Sequence, residues 1–237
     1  MSFSAYKERL KRNGNSDSDA IHKRTVDQIN MKFKDSPSYA LIKHNGIDTD
    51  ARIIEGKKGF ERFVLFRPDA QIDVGDYVDY LGRKWLIFDT YEDKVSPKAL
   101  ITSCNETLSW IDRKGKHIEM PVFALATRNT RYDILPDRWD VDLLAGMIYI
   151  IAKSTEESRS IEHSMRFIIG HNTVYEVAGI DDVTFMRHGG NGMIQFTFKI
   201  TTRTVKDDFV NRIADNSYFY DSTNKVDENK GDSGDIW

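Results

Sequence analysis

The chain has 237 residues, 40% of them hydrophobic, with a formal net charge of -3 and a single cysteine, Cys104. That length furnishes one large domain or two small ones, each with a proper core that needs neither a metal nor a disulfide. The lone cysteine excludes a disulfide-stapled extracellular scaffold and points to a reducing compartment, and the acidic balance argues against a dedicated nucleic-acid binder, which usually carries a strong basic excess.

The N-terminal stretch MSFSAYKERLKRNGNS is charged from Lys7 onward and holds no apolar run of signal-peptide length. No segment approaches the roughly 20 apolar residues of a membrane span, so the expectation is a soluble protein made in a cytoplasm, with no membrane partner. Residues 1–34 carry eight Lys and Arg against four Asp and Glu, whereas residues 217–237 carry five acids against two lysines. The two ends therefore invite different partners, or the tail of one copy faces the arm of another. Residues 4–12 favour a short helix, and Asp17 to Lys34 a longer one capped near Ser16 or Ser18. The apolar residues of the second helix, Ala20, Val26, Ile29, Met31 and Phe33, make only a ragged stripe. That predicts a helical arm over residues 1–35, hinged at Gly14 and Asn15, which orders against a neighbouring subunit.

From Ser38 the texture changes to alternating strands: Tyr39 to His44, Arg52 to Glu55 and Arg62 to Phe66, separated by Asn45-Gly46 and by Gly56-Lys57-Lys58-Gly59. A hairpin follows around Leu81-Gly82-Arg83-Lys84, with Tyr77, Val78 and Tyr80 before it and Trp85 to Phe88 after it; Trp85 is expected in the core. Cys104 ends the apolar run Ala99 to Ser103, where a small buried thiol fits better than a nucleophile. Leu108 to Asp112 and His117 to Phe123 form another hairpin around Arg113-Lys114-Gly115-Lys116, with Trp110 expected to support that loop. Residues 127–146 are polar and interrupted by Pro136, so they are assigned as a connection. Met147 to Ala152, Met165 to Ile169, Val174 to Val177, Val183 to Phe185 and Met193 to Thr201 make a second strand series, and Asp207 to Ala214 one or two closing helical turns. MRFIIGHNTVYEVAGIDDVTF laid beside DYVDYLGRKWLIFDTYEDKVS shows a short internal similarity.

The expected fold is mainly β, with two small antiparallel β-barrel or sandwich domains, an N-terminal helical arm and a disordered acidic C-terminal tail. The boundaries are 1–35 for the arm, 36–126 for the first barrel, 127–146 for the connection, 147–215 for the second barrel and 216–237 for the tail.

The chemistry-bearing residues form no catalytic or metal constellation. The six histidines are scattered, without the spacing of a zinc site. His188-Gly189-Gly190-Asn191-Gly192 lacks the Lys-Ser or Lys-Thr of a phosphate cradle. The acid pairs Asp140 with Asp142, Asp181 with Asp182 and Asp207 with Asp208 fit solvated edges better than metal or glycosidase sites. The expectation is no enzyme and no cofactor. The candidate residues are instead interfacial: Lys7, Arg9, Lys11 and Arg12 on the arm, Arg113, Lys114 and Lys116 on a hairpin loop, Arg138 and Trp139 in the middle region, and Tyr218, Phe219, Tyr220 and Trp237 as aromatic anchors in the tail.

Three stretches carry a family likeness. Val74-Gly75-Asp76-Tyr77-Val78, then Gly82-Arg83-Lys84-Trp85-Leu86-Ile87, then Ser103 to Trp110 followed by Lys114-Gly115 and Pro121, resemble the neck or head-to-tail connector proteins of long-tailed bacteriophages of Gram-positive hosts. Arg166 to Ile169, Tyr175 to Val177 and Asp207-Asp208 look like that family's second β-domain. The likeness spans about residues 35–215 and is most specific over Cys104 to Trp110. It implies a virion structural protein of the neck, assembled in the host cytoplasm as a homo-oligomeric ring of 6 or 12 copies. Its partners would be a portal or adaptor protein on one side and a tail or tail-terminator protein on the other. Double-stranded DNA would pass through the channel without sequence-specific binding, and a net negative protein would let it slide. The competing readings are a tail terminator or baseplate component, a β-barrel hydrolase using Asp140 and Asp142, and a nucleic-acid-binding barrel.

Overall fold

In the computed structural model, which describes residues 16–68, 70–91, 95–126, 146–186 and 191–219, the chain divides between Ser103 and Cys104 into two units. The first opens with helix α1 (Asp17–Lys32), where the Ser16 hydroxyl accepts the Asp19 N–H as an N-cap, followed by a 3-10 turn (Phe33–Asp35). Six antiparallel strands follow: β1 (Tyr39–His44), β2 (Ile47–Glu55), β3 (Glu61–Phe66), β4 (Tyr77–Tyr80), β5 (Arg83–Tyr91) and β6 (Lys98–Ser103). They close a barrel in the order β1-β2-β3-β6-β5-β4. Alternation supplies the core, since Ile42, Ala51, Val64, Phe66, Val78, Trp85, Ile87, Ala99 and Ile101 point inward from successive strands. Asn45 and Gly46, at φ 48 and 84, make the tight two-residue turn joining β1 to β2. The closing ladder pairs Lys43 with Asp79 and His44 with Val78, and beside it His44 Nε2 lies 2.9 Å from Asp76 Oδ2.

The second unit contains β7 (Glu106–Ile111), β8 (His117–Ala126), β9 (Met147–Lys153), the single turn α2 (Glu156–Arg159), β10 (Arg166–Ile169), β11 (Thr173–Asp181) and β12 (Met193–Ile200). Its sheet order, β7-β8-β9-β12-β11-β10, repeats that of the first unit strand for strand. The correspondence reaches single hydrogen bonds. β5 and β11 are each nine residues long, and each bulges one residue past a matching position, Ile87 and Val177. Ile87 exchanges backbone bonds with Gly75 and Asp76, and Val177 with Ser164 and Met165. Gly75 (φ 90) and Ser164 (φ 68) share the left-handed conformation that this entry into a hairpin requires. The repeats differ at one seam: among the described residues no ladder joins β7 to β10. The core of this unit is aromatic, with Trp110, Phe167, Phe196 and Phe198 linked edge to face at 5.4–6.1 Å.

Several expectations change. The β7–β8 hairpin belongs to the second unit rather than to a first barrel ending at residue 126, because the β1–β4 and β3–β6 ladders already close that barrel and β8 pairs instead with β9. The connection 127–146 therefore joins β8 to β9 within one unit; all of it but Gly146 lies outside the described residues. Val183 to Phe185 is a turn, not a strand, since the Asp181 carboxylate accepts the N–H groups of Val183 and Thr184. Asp207 to Ala214 is no helix but a looped strap closed by an Asp208–Ile213 bridge. Trp110 is core, not loop support.

α1 also departs from the expectation of an arm set against a neighbour, because its C-terminal end is fixed to its own barrel. Phe33 is 1% exposed, its ring lying 4.6 Å from the Arg52 guanidinium and 4.7 Å from that of Arg67. Arg52 donates to the Phe33 and Lys32 carbonyls at 3.0 and 2.7 Å, and Arg67 to the Asn30 carbonyl at 3.3 Å. These bonds satisfy carbonyls that a helix end otherwise leaves without partners. Asp50 fixes Arg67 in turn, accepting from its Nη2 at 2.7 Å and from the Tyr39 hydroxyl at 2.7 Å. Residues 4–12, the Gly14–Asn15 hinge and the tail beyond Phe219 lie outside the described residues.

Candidate interaction surface

One end of the second unit gathers the described residues singled out as interfacial. The β7–β8 turn is shaped by Asp112, whose carboxylate accepts the Lys114 and Lys116 N–H groups, each at 2.8 Å. Arg113 then pairs with Glu162 in the turn before β10, and Lys116 Nζ lies 3.9 Å from Glu157 on α2. Two of the three loop cations are thus tied to their own chain. Phe219 packs against the aromatic core and lines a small crevice with Trp110, Asp112, Arg113, Ser160 and Met165, whereas Tyr218 is 84% exposed. Lys7, Arg9, Lys11, Arg12, Arg138, Trp139, Tyr220 and Trp237 lie outside the described residues.

The strap over residues 201–219 was not legible as a unit, yet it is fastened at several points to β10 and to Glu106. Arg166 on β10 reaches Asp207 with both guanidinium nitrogens, Nη1 to Oδ1 and Nη2 to Oδ2, each at 3.0 Å. Asp207 also accepts the Thr204 and Asp215 N–H groups at 2.7 and 2.9 Å. Burial would raise its pKa, but those two N–H donors and Arg166 outweigh it and hold the carboxyl below its ordinary 3.8. The Asn216 side chain meets β10 as a strand would, accepting from the Arg166 N–H at 2.7 Å and donating to its carbonyl at 2.9 Å.

A second fastening occupies the seam between β7 and β10. Glu106 accepts from the Gly170 N–H at 2.9 Å, from the Thr107 N–H at 2.9 Å and from Arg212 Nη2 at 2.6 Å. Burial again opposes the charge, and the Arg212 bond followed by the two N–H donors prevails, lowering the pKa from 4.5. Arg212 itself takes φ 58, and its Nε is buried without a partner, so the strap stores strain to place this side chain.

The outcome is a fixed loop with apolar tips. Val205, Val210 and Tyr218 stand in solvent, while Asp208 braces the second tip through the Val210 and Asn211 N–H groups. Beside them a groove of about 370 Å³ runs between Ile111, Lys206 and Ala214. Isolated exposed apolar residues are ordinary on a surface; here three lie on one strap fastened by a largely buried ion pair, Arg166–Asp207, and a half-buried one, Arg212–Glu106. Its acid sensitivity follows. Carboxyls with lowered pKa values stabilise the fold above their ordinary values of 3.8 and 4.5, and that contribution is lost as pH falls through the lowered ones. Thermal melts stepped downward from pH 7 should hold level until about pH 4.5 and then fall steeply. A melting temperature already declining between pH 7 and 6 would contradict this account.

No cluster that could hold a metal ion occurs among the described residues. His44 and His117 are each occupied by one hydrogen bond, to Asp76 and to the Ser109 hydroxyl. The acids Asp181, Asp207 and Asp208 hold turns; Asp140 and Asp142 lie outside the described residues. Among the described residues no helix is long and apolar enough to cross a membrane. No family model matches the chain, and no curated protein matches it. Among solved structures it is similar to one described as "MrkH, A novel c-di-GMP dependence transcription regulatory factor", with 7% identity and a TM-score of 0.25, covering 89% of this chain and 92% of that one. A likeness that distant carries no functional argument.

Proposed function

We propose that this chain is a structural, non-catalytic component of a tailed-phage neck. It forms a homo-oligomeric ring that joins the portal side of the capsid to the tail and lets DNA pass through or be retained. The observation that carries the reading is where the family-like stretches fall. Gly75 to Ile87 lies on the β4–β5 hairpin and Arg166 to Val177 on β10–β11, which is the same hairpin in each copy of the repeated fold. These two stretches, which also align with each other in sequence, share one structural position, while Cys104 to Trp110 leads into and along β7 of the second unit. The strap exposes Val205, Val210 and Tyr218, apolar side chains suited to a head-to-tail contact between identical subunits.

The test is assembly with partners. Purified chain mixed with portal complexes should appear by negative stain as an added ring, and a tagged copy should map to the neck of intact virions. The double variant Val205→Asp with Val210→Asp should fold normally and fail to assemble. A monomer that never joins portal complexes, or a tag found at the distal tail, overturns the proposal.

A further inference from the structure

The outer face of the first barrel is apolar where a barrel wall in water would be polar. Strand register places Ile54, Phe63, Leu100 and Asp89 in one row across β2, β3, β6 and β5, and Arg52, Leu65, Lys98 and Tyr91 in the next row, so the face carries two cations against one carboxylate. Ile54 is 47% exposed and Tyr91 38%, with Phe63, Leu65 and Leu100 half-buried between them. The corresponding face of the second unit carries Phe123, Tyr149 and Ile151 on β8 and β9, all of them buried. The repeat therefore buries in one copy the face that it leaves open in the other.

Two cations sit within this face. Lys98 Nζ lies 3.8 Å from the Phe63 ring centroid and 5.6 Å from that of Tyr91, and no carboxylate among the described residues pairs with it. Arg52 is engaged by the end of α1, where it stacks on Phe33 and donates to the Phe33 and Lys32 carbonyls, so Lys98 is the cation this face offers. Because the barrel is closed, no free strand edge borders the face, and a ligand must bind by side chains rather than by adding a strand. The chemistry that fits is an acidic segment carrying aromatic groups.

We infer that this face receives residues 220–237 of a second copy of the chain. That segment holds Asp221, Asp227, Glu228, Asp232 and Asp235 against Lys225 and Lys230, with Tyr220 and Trp237 near its ends. It follows Phe219, which is packed on the second unit's core. Its 18 residues can span at most roughly 60 Å, enough to reach an adjacent subunit. Tail on one copy and socket on the next form a head-to-tail contact, which closes into a ring or runs on as a filament. The choice of a second copy as the source rests on the ring reading above.

Zero-length carbodiimide coupling of the full chain, mixed from equal parts of isotopically heavy and light protein, tests the contact. The expected product joins the Lys98 peptide to a tail peptide carrying the opposite isotope label. Reversing two tail charges, Asp227→Lys with Glu228→Lys, should reduce both that product and concentration-dependent association at least tenfold, and adding Lys98→Glu should restore association, with the new amide joining the carboxylate at position 98 to the tail lysines. The tail variants leave the barrel sequence untouched, so a folding defect cannot imitate the result. Links confined to one isotope, no link to Lys98, or association indifferent to tail charge would each overturn the inference. Portal binding is read separately, so a chain that joins the neck without tail coupling refutes this contact alone, and tail coupling without neck assembly refutes the neck reading alone.

Discussion

Asp207→Ala is expected to destabilise the second unit by about 3–5 kcal/mol in urea denaturation at neutral pH, the usual cost of removing one partner from a buried ion pair. The side chain is fully buried, and its loss strands the largely buried Arg166 guanidinium together with the Thr204 and Asp215 N–H groups. A second substitution separates the charge effect from packing. Arg166→Met in the same chain removes the orphaned cation and should recover a large part of the loss, because an apolar replacement of both partners is often near neutral. Asp207→Asn keeps the shape but only part of the acceptor capacity, so it should fall between wild type and Asp207→Ala. If Asp207→Ala lowers stability by less than about 1 kcal/mol, the strap is fastened elsewhere and the apolar tips are not held by this pair. Assembly offers an independent readout: a loosened strap must reorder Val205 and Val210 before docking, so association should weaken even where the unit remains folded.

That strap marks the limit of what the sequence discloses. Alternation identified most of the strands and their turns, though β2 begins at Ile47 rather than Arg52, because a period of two with Asn-Gly or Leu-Gly between apolar runs has few other solutions. It also exposed half of the repeat, since the β4–β5 and β10–β11 hairpins were the two segments that aligned. The domain boundary was not legible. β7 and β8 alternate just as β4 and β5 do, and a two-residue period does not encode which sheet a hairpin joins. The deciding pairs, such as Phe123 with Ile151, bridge a long connection. The candidate surface was hidden for a related reason. Asp207 and Asp208 were visible as an acid pair, but the partner of Asp207 stands 41 residues earlier and that of Glu106 stands 106 residues later. Val183 to Phe185 failed differently, because a side-chain carboxylate two residues upstream captured the backbone before a ladder could.

Phe33→Ala should have the second large effect, about 3–5 kcal/mol on the first unit, a figure typical of emptying a phenylalanine site in a core. The ring is sandwiched between two guanidiniums, so its loss removes buried area and two cation–π contacts at once. The arginines then face a cavity while still bound to Lys32, Asn30 and Asp50, so the surrounding structure has little freedom to collapse and refill it. Phe33→Leu keeps most of the volume without the π face and isolates the cation–π share, which should amount to about 1–2 kcal/mol. The helix is the structural readout. α1 has a weak apolar stripe with Ile21 and Met31 exposed, so its order depends on this anchor more than on its own propensity. Hydrogen exchange in Phe33→Ala should accelerate throughout residues 20–32 while β3 and β6 stay protected. Equal loss of protection in helix and barrel would mean that Phe33 belongs to the barrel core itself. Unchanged protection in α1 would mean that some contact other than the Arg52–Phe33–Arg67 stack secures the helix.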